Sequence, residues 1–348
     1  MIKVLIVDDS PTIRQYLQEL FILDGEFKVV GTAKDGEEAI TMVEKTSPDV
    51  VTMDINMPKL NGYEATKKIM QTKAVPIVIV SSAYNPDEVQ DTFKAMQAGA
   101  VAGVKRPHGL GSKNDDSEIT NLIQTVKLMS EVKVITRRLD RKKTPNKSSD
   151  NLKQINSVQE KKYEIVAIGA STGGPPVIQN ILSKMTPNIS VPILIVQHIT
   201  PGFCDGLVEW LNKTTKFQIK LAEHNESAKP GIVYFAPDYK HMGIDAGKKI
   251  FLSDDPPEHS IKPSVSFLFR SIANNFKNNA IGVLLTGMGK DGAYELKLIN
   301  DNDAMTIIQN KETSVVFGMP GEAMKLNAAK YIISPDEIAK KINFLVGK

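Results

Sequence analysis

Gly169-Ala170-Ser171-Thr172-Gly173-Gly174 follows the apolar run Ile165-Val166-Ala167-Ile168 and precedes Pro175-Pro176, a pair suited to opening a helix. The order strand, tight turn, helix marks an α/β fold and lifts the Ser171 hydroxyl out of the sheet. There it stands beside the first free N–H groups of the new helix, which favour a developing oxyanion and a nucleophilic role. The segment matches G-x-S-x-G literally. A Gly-rich phosphate loop and a merely tight turn are the competing readings. Against the phosphate loop, Ser171 occupies the place of the second glycine of G-x-G-x-x-G, and no Walker-type Lys follows.

A serine nucleophile needs a base and a group to orient it, and later strand ends offer both. Ile193-Leu194-Ile195-Val196-Gln197 reads as a buried parallel strand with His198 at its carboxyl end. Ile281-Gly282-Val283-Leu284-Leu285 runs into Thr286-Gly287-Met288-Gly289-Lys290-Asp291-Gly292, a loop whose glycines allow close approach and whose Asp291 is placed to receive the imidazole N–H. Taken singly, a strand-end His is often structural and an Asp among glycines is often a turn former. The order Ser, His, Asp also differs from that of the α/β-hydrolases. Backbone N–H groups near Thr172 and Met288 are the candidate oxyanion donors. His108, His224 and His259 read as surface residues, and His241, near another strand end, is the rival base.

The amino-terminal third repeats short apolar runs with polar carboxyl ends, as in a small doubly wound sheet. Lys3 to Val7 ends in Asp8-Asp9, Val50 to Met53 in Asp54, Ile77 to Val80 in Ser81-Ser82, and a fifth run near Lys105-Arg106. Three carboxylates at one sheet edge repel unless a cation neutralises them, and hard oxygen ligands suit Mg²⁺. A facing hydroxyl and cation complete a site for an acyl phosphate on Asp54. Helix capping by Asp9 and Ser10 before Pro11 explains one acid and leaves Asp54 unexplained.

Residues 1 to about 120 resemble a response-regulator receiver domain, with the acid pair, the phosphoacceptor and the Met57-Pro58 turn in register. The resemblance implies that Asp8, Asp9, Asp54 and the backbone carbonyl of Asn56 hold Mg²⁺, and that Ser81 is the switch hydroxyl. Aligned from Gly99-Ala100, Arg106 stands where the family has Lys and is expected to contact the phosphoryl group, with Lys105 as the alternative. Gly103 replaces an aromatic switch residue, which argues against signalling by an aromatic swing.

Residues 163–348 resemble the catalytic domain of chemotaxis-specific protein-glutamate methylesterases, the CheB family. The matching segments are 169–174, Gln197-His198, Tyr234 to Pro237, Lys262 to Val265, Leu285 to Gly292, Gln309-Asn310 and Val316 to Pro320. Ile199 and Ser266 depart from the residues common there, and neither is expected to touch the triad. The resemblance implies Ser171 as nucleophile, His198 as base and Asp291 as its orienter. It further implies hydrolysis of glutamyl γ-methyl esters on chemoreceptors, with glutamine deamidation through the same acyl-enzyme and no metal in that step. The expected fold is a flavodoxin-like receiver followed by a doubly wound, mainly parallel α/β domain. A chemotaxis histidine kinase is the expected phosphodonor, and the unphosphorylated receiver is expected to cover the esterase cleft.

Organisation agrees with two domains in 348 residues. Residues 1–120 carry 13 Lys and Arg against 18 Asp and Glu, whereas 121–162 carry 11 against 4. That basic segment reads as a helical extension over Ile119 to Leu139 followed by a flexible, solubilising tether. No DNA-reading or RNA-binding signature appears, so nucleic acid is not an expected partner. One cysteine, Cys204, no signal peptide and no apolar run near the roughly 20 residues of a bilayer span point to a cytoplasmic protein without membrane insertion.

Overall fold

The computed structural model describes residues 1–81, 86–107, 115–134 and 162–347. Ser82, His108 and nearly all of the basic tether lie outside the described residues, and so do the expectations attached to them.

In the amino-terminal half, β1 (Ile2–Val7), α1 (Pro11–Asp24), β2 (Phe27–Ala33), α2 (Gly36–Thr46), β3 (Val50–Met53), α3 (Gly62–Thr72), β4 (Ile77–Ser81), α4 (Pro86–Ala98), β5 (Ala102–Lys105) and α5 (Asp115–Ser130) alternate. The sheet order is β2-β1-β3-β4-β5 and every pairing is parallel. Its central strands are buried on both faces, which explains their unbroken apolar runs. Helix starts follow local chemistry: Ser10 accepts the Ile13 N–H with Pro11 at the first helical position, and Asp35 and Asn61 cap α2 and α3 in the same way. Helix α5 crosses residue 120 and stops at Ser130, short of the Leu139 expected from spacing. There the N–H groups of Glu131 and Val132 turn back to the carbonyls of Leu128 and Met129, and the β-branched Val132 and Val134 disfavour another turn.

The carboxyl-terminal half runs β6 (Ile165–Ala170), α6 (Gly174–Lys184), β7 (Ile193–Gln197), α7 (Cys204–Thr214), β8 (Gln218–Leu221), β9 (Ile232–Phe235), β10 (His241–Ile244), β11 (Ile250–Ser253), α8 (Val265–Phe276), β12 (Ala280–Leu284), α9 (Ala293–Asp301), β13 (Met305–Gln309), α10 (Met319–Lys325), β14 (Tyr331–Ile333) and α11 (Pro335–Val346). Seven parallel strands are ordered β14-β13-β12-β6-β7-β9-β8, and β10 and β11 form a separate antiparallel ribbon. The doubly wound, mainly parallel expectation therefore holds.

Alternate residues of β6 serve opposite faces. Val166 and Ile168 join the apolar cluster under α6, α7 and α11, while Ile165 and Ala167 join the cluster under α8 and α9. Growth of the sheet reverses at β6, with β7 on one side and β12 on the other. A crevice outside the carboxyl ends of those strands is the usual site in such sheets. Among the described residues, no helix is long and apolar enough to cross a membrane.

The two halves touch through α4 and α7. Phe93 stacks on Trp210 with ring centroids 5.4 Å apart, and Val89 lies over Gly206, where an added Cβ would come within 2.1 Å of Val89 Cγ1. Gln90 Nε2 donates to Glu209 Oε1 at 3.1 Å, and one apolar cluster runs from Val89, Phe93 and Met96 into Phe203, Leu207 and Trp210.

Candidate active site and acidic receiver site

Three strand ends meet at the crevice. Ala170 pairs with Gln197 in register, so Ser171 and His198 leave β6 and β7 side by side, and the His198 N–H donates to the Ala170 carbonyl at 2.9 Å. The loop after β12 closes the third side, with Thr286 accepting the Ser171 N–H at 3.0 Å. Gly287 must be glycine for this approach, since a Cβ there would sit 2.7 Å from Ser171 Cβ and 2.4 Å from Met319 Sδ. The turn itself needs Gly173, whose φ of 75° is left-handed and whose open side is filled by Val315. Among the described residues, neither Thr172 nor Met288 donates its backbone N–H to another backbone group.

His198 Nε2 lies 2.9 Å from Asp291 Oδ2. The approach is close but off the line of a ring hydrogen bond, and both Nε2 and Nδ1 are buried without a hydrogen-bond partner, the Ser171 hydroxyl included. Asp291 is 2% exposed and accepts from Ser264 Oγ at 2.8 Å, Val265 N at 2.6 Å and Ser266 N at 2.9 Å. These donors are the cap and first turn of α8, so the carboxylate rests on the positive end of a helix. Burial alone would raise its pKa; the neighbouring His198 and the Ser266 donors outweigh burial and hold the carboxyl well below the usual range.

Ser266 therefore does touch Asp291 of the candidate triad, contrary to the expectation from sequence, because the contact is made by its backbone N–H. Its hydroxyl donates to buried Glu295 at 2.6 Å and accepts the Gly292 N–H at 2.9 Å. Among the other histidines, His224 and His259 are exposed. His241 is buried, with Nδ1 accepting the Ser264 N–H and Nε2 against the Pro256 carbonyl. It braces the loop before α8.

At the receiver edge, Asp8, Asp9 and Asp54 bring carboxylate oxygens within 4.8 Å of one another. Asp8 and Asp54 are buried and Asp9 is exposed. Burial and then the Asp8 charge push Asp54 up to about 7, and burial also raises Asp8, so the positive charge of nearby Arg106 does not offset burial and the repulsion between the acids. Arg106 Nη1 is 3.5 Å from Asp8 Oδ2, whereas Lys105 pairs with Glu118 on α5 at 2.7 Å. Of the two candidates, Arg106 faces the acids.

Ser81 Oγ donates to Glu88 Oε2 at 3.1 Å and Asn56 Nδ2 donates to Glu88 Oε1 at 2.9 Å. Glu88, on the same helix that touches α7, carried no signal in the sequence. Gly103 has no space for an aromatic ring, since even a Cβ would meet Thr92 Cγ2 at 2.7 Å; its carbonyl accepts Thr200 Oγ1 at 3.2 Å.

Residues 166–342 match the family described as CheB methylesterase, and residues 4–111 the response regulator receiver domain. Protein-glutamate methylesterase/protein-glutamine glutaminase 1 of Syntrophus aciditrophicus is 48% identical over 100% of this chain and 99% of its own length. The similarly named protein 4 of Geobacter metallireducens is 47% identical over 99% of each chain. The crystal structure of the Thermotoga maritima CheB methylesterase catalytic domain matches 53% of this chain and all of its own, at 37% identity and a TM-score of 0.52. The chain thus belongs to the CheB methylesterase family, with a response-regulator receiver domain ahead of its esterase domain.

Proposed function

We propose that this protein is a phosphorylation-regulated serine hydrolase that demethylates glutamyl γ-methyl esters of chemoreceptors and deamidates receptor glutamines. The observation that carries the reading is the meeting of Ser171, His198 and Asp291 at the ends of β6, β7 and the loop after β12, in a chain nearly half identical to relatives named for both activities.

Asp291 keeps the imidazole proton on Nε2 and leaves the Nδ1 lone pair to take the Ser171 hydroxyl proton. The Ser171 oxygen then attacks the side-chain carbonyl carbon, and the oxyanion gathers at the N–H groups of Thr172 and Met288. Collapse breaks the bond to methoxide, which leaves as methanol with the proton from His198; from glutamine the leaving group is ammonia. Water, deprotonated by His198, attacks the acyl carbon, the bond to Ser171 Oγ breaks to release glutamate, and the proton returns from His198 to Ser171.

Control enters at Asp54. Asp8, Asp9, Asp54 and the Asn56 carbonyl would hold Mg²⁺, and the excess negative charge of the cluster fits a hard divalent ion. Bound Mg²⁺ supplies charge neutralisation for phosphoryl transfer, and Arg106 is placed to meet the phosphoryl oxygens. A cytoplasmic histidine kinase is the donor. Thr200, two residues beyond His198, binds the Gly103 carbonyl, and Val315, which covers Gly173, packs on the receiver core. Both contacts support inhibition by an unphosphorylated receiver lying against the cleft.

Methanol release from methylated receptor, with and without acetyl phosphate, tests the reading. It is expected to rise with the phosphodonor in the native chain and vanish in Ser171→Ala; release that survives that substitution would refute Ser171 as nucleophile.

A further inference from the structure

We infer that Gln197 is a positioning residue for this reaction, its single side-chain amide locking the strand end that bears the nucleophile to the strand end that bears the base; the inference rests on the roles proposed for Ser171 and His198. Gln197 is the last residue of β7 and is 5% exposed. Its Nε2 donates to the Ser171 carbonyl at 2.9 Å and to the His198 carbonyl at 2.7 Å. The backbone joins these strands for the last time at His198 N to Ala170 O. Beyond that rung the chains diverge, and the amide takes over the pairing, one N–H to each carbonyl. The opposite amide orientation would set an oxygen against two carbonyl oxygens, so the chemistry fixes which end is nitrogen.

Two further observations separate positioning from packing. Gln197 Oε1 is buried without a partner. A side chain present only to stabilise the fold would not leave a polar atom orphaned where Leu or Met fills the same volume. Room for the amide is also made by Gly174 at the start of α6, where a Cβ would stand 2.0 Å from Oε1. Buried, satisfied on its donor side and unsatisfied on its acceptor side, the group gives up stability for geometry.

The test uses the full chain with acetyl phosphate, comparing native protein with Gln197→Met and Gln197→Glu. Methanol release gives kcat and KM, a fluorophosphonate reagent gives the rate of Ser171 labelling, and thermal melting reports folding. Misplacing reacting groups by about 1 Å costs on the order of a hundredfold. Both variants are therefore expected to lose roughly that factor in kcat and in labelling rate, with KM within about threefold. Gln197→Met removes the orphaned oxygen but also the donor to two carbonyls, two effects of opposite sign, so it is expected to fold and to melt within a few degrees of the native chain. Retention of kcat within about threefold in either folded variant, or failure of both variants to fold, overturns the inference and leaves Gln197 a structural residue. A native chain that labels at Ser171 but releases no methanol refutes the substrate reading alone; one that does neither removes the nucleophile and this inference together.

Discussion

Asp291 carries more of the candidate site than its neighbours do, because it joins an imidazole to a helix. Its carboxylate answers two α8 N–H groups, the Ser264 hydroxyl and His198 at once. Asp291→Asn keeps the volume and one acceptor oxygen but turns N–H groups toward either the helix or the ring. The wrong imidazole tautomer then costs on the order of 10⁴-fold in kcat. Steady-state kinetics on the folded variant checks this, and a loss under tenfold would remove Asp291 as orienter. Asp54 makes the opposite electrostatic case. Its folded pKa of about 7 exceeds its unfolded value, so the native state holds the extra proton between about pH 4 and 7 and loses stability as pH rises through that window. In EDTA, Asp54→Asn should therefore be more stable than the native chain, by an advantage growing from pH 4 to pH 8 toward at most about 4 kcal/mol. Denaturant titrations at the two pH values measure it, and a constant difference would contradict the raised carboxyl.

Helix α8 shows how an element far along the chain completes a site begun by β6. Ser264 caps it, accepting the Phe267 N–H at 3.4 Å while donating to Asp291. Ser264→Ala removes both bonds and should cost about 1–2 kcal/mol in stability, with a fall in kcat that a cap remote from the reacting groups would not produce. Unfolding and kinetics on the same preparation separate the two effects; a stability loss without any change in kcat would make Ser264 a cap only.

The positions of Ser171, His198, Asp291, Asp54 and Arg106 were legible in sequence because parallel strands announce themselves as apolar runs and bring all their carboxyl ends to one edge. The adjacency of β12 to β6 was not legible, since strand order depends on crossovers and not on local pattern. Contacts made by backbone, such as Ser266 N to Asp291, escape any reading of side-chain identity. Glu88 and Gln197 were missed for the related reason that their roles reside in where a side chain points.

Across the whole molecule, the proposed regulation turns on the contact between α4 and α7. Tethering makes docking intramolecular, so a small interface suffices and small changes to it are felt. At Gly206 there is no room for a Cβ beside Val89, and its helical backbone accepts alanine, which is the better helix former by about 1 kcal/mol. Gly206→Ala thus strengthens α7 while driving a methyl group into Val89. Overpacking of this kind costs about 1–3 kcal/mol, enough to shift the balance between docked and released receiver by roughly five- to more than a hundredfold. Methanol release without phosphodonor is expected to rise accordingly, and acetyl phosphate should add little more. Trimming the opposite side with Val89→Ala in the same chain makes room for the new methyl and should return basal release toward the native level. If Gly206→Ala folds and its basal release stays at the native level, the α4–α7 contact is not what restrains the esterase, and Thr200 with Val315 would have to hold the receiver against the cleft without it.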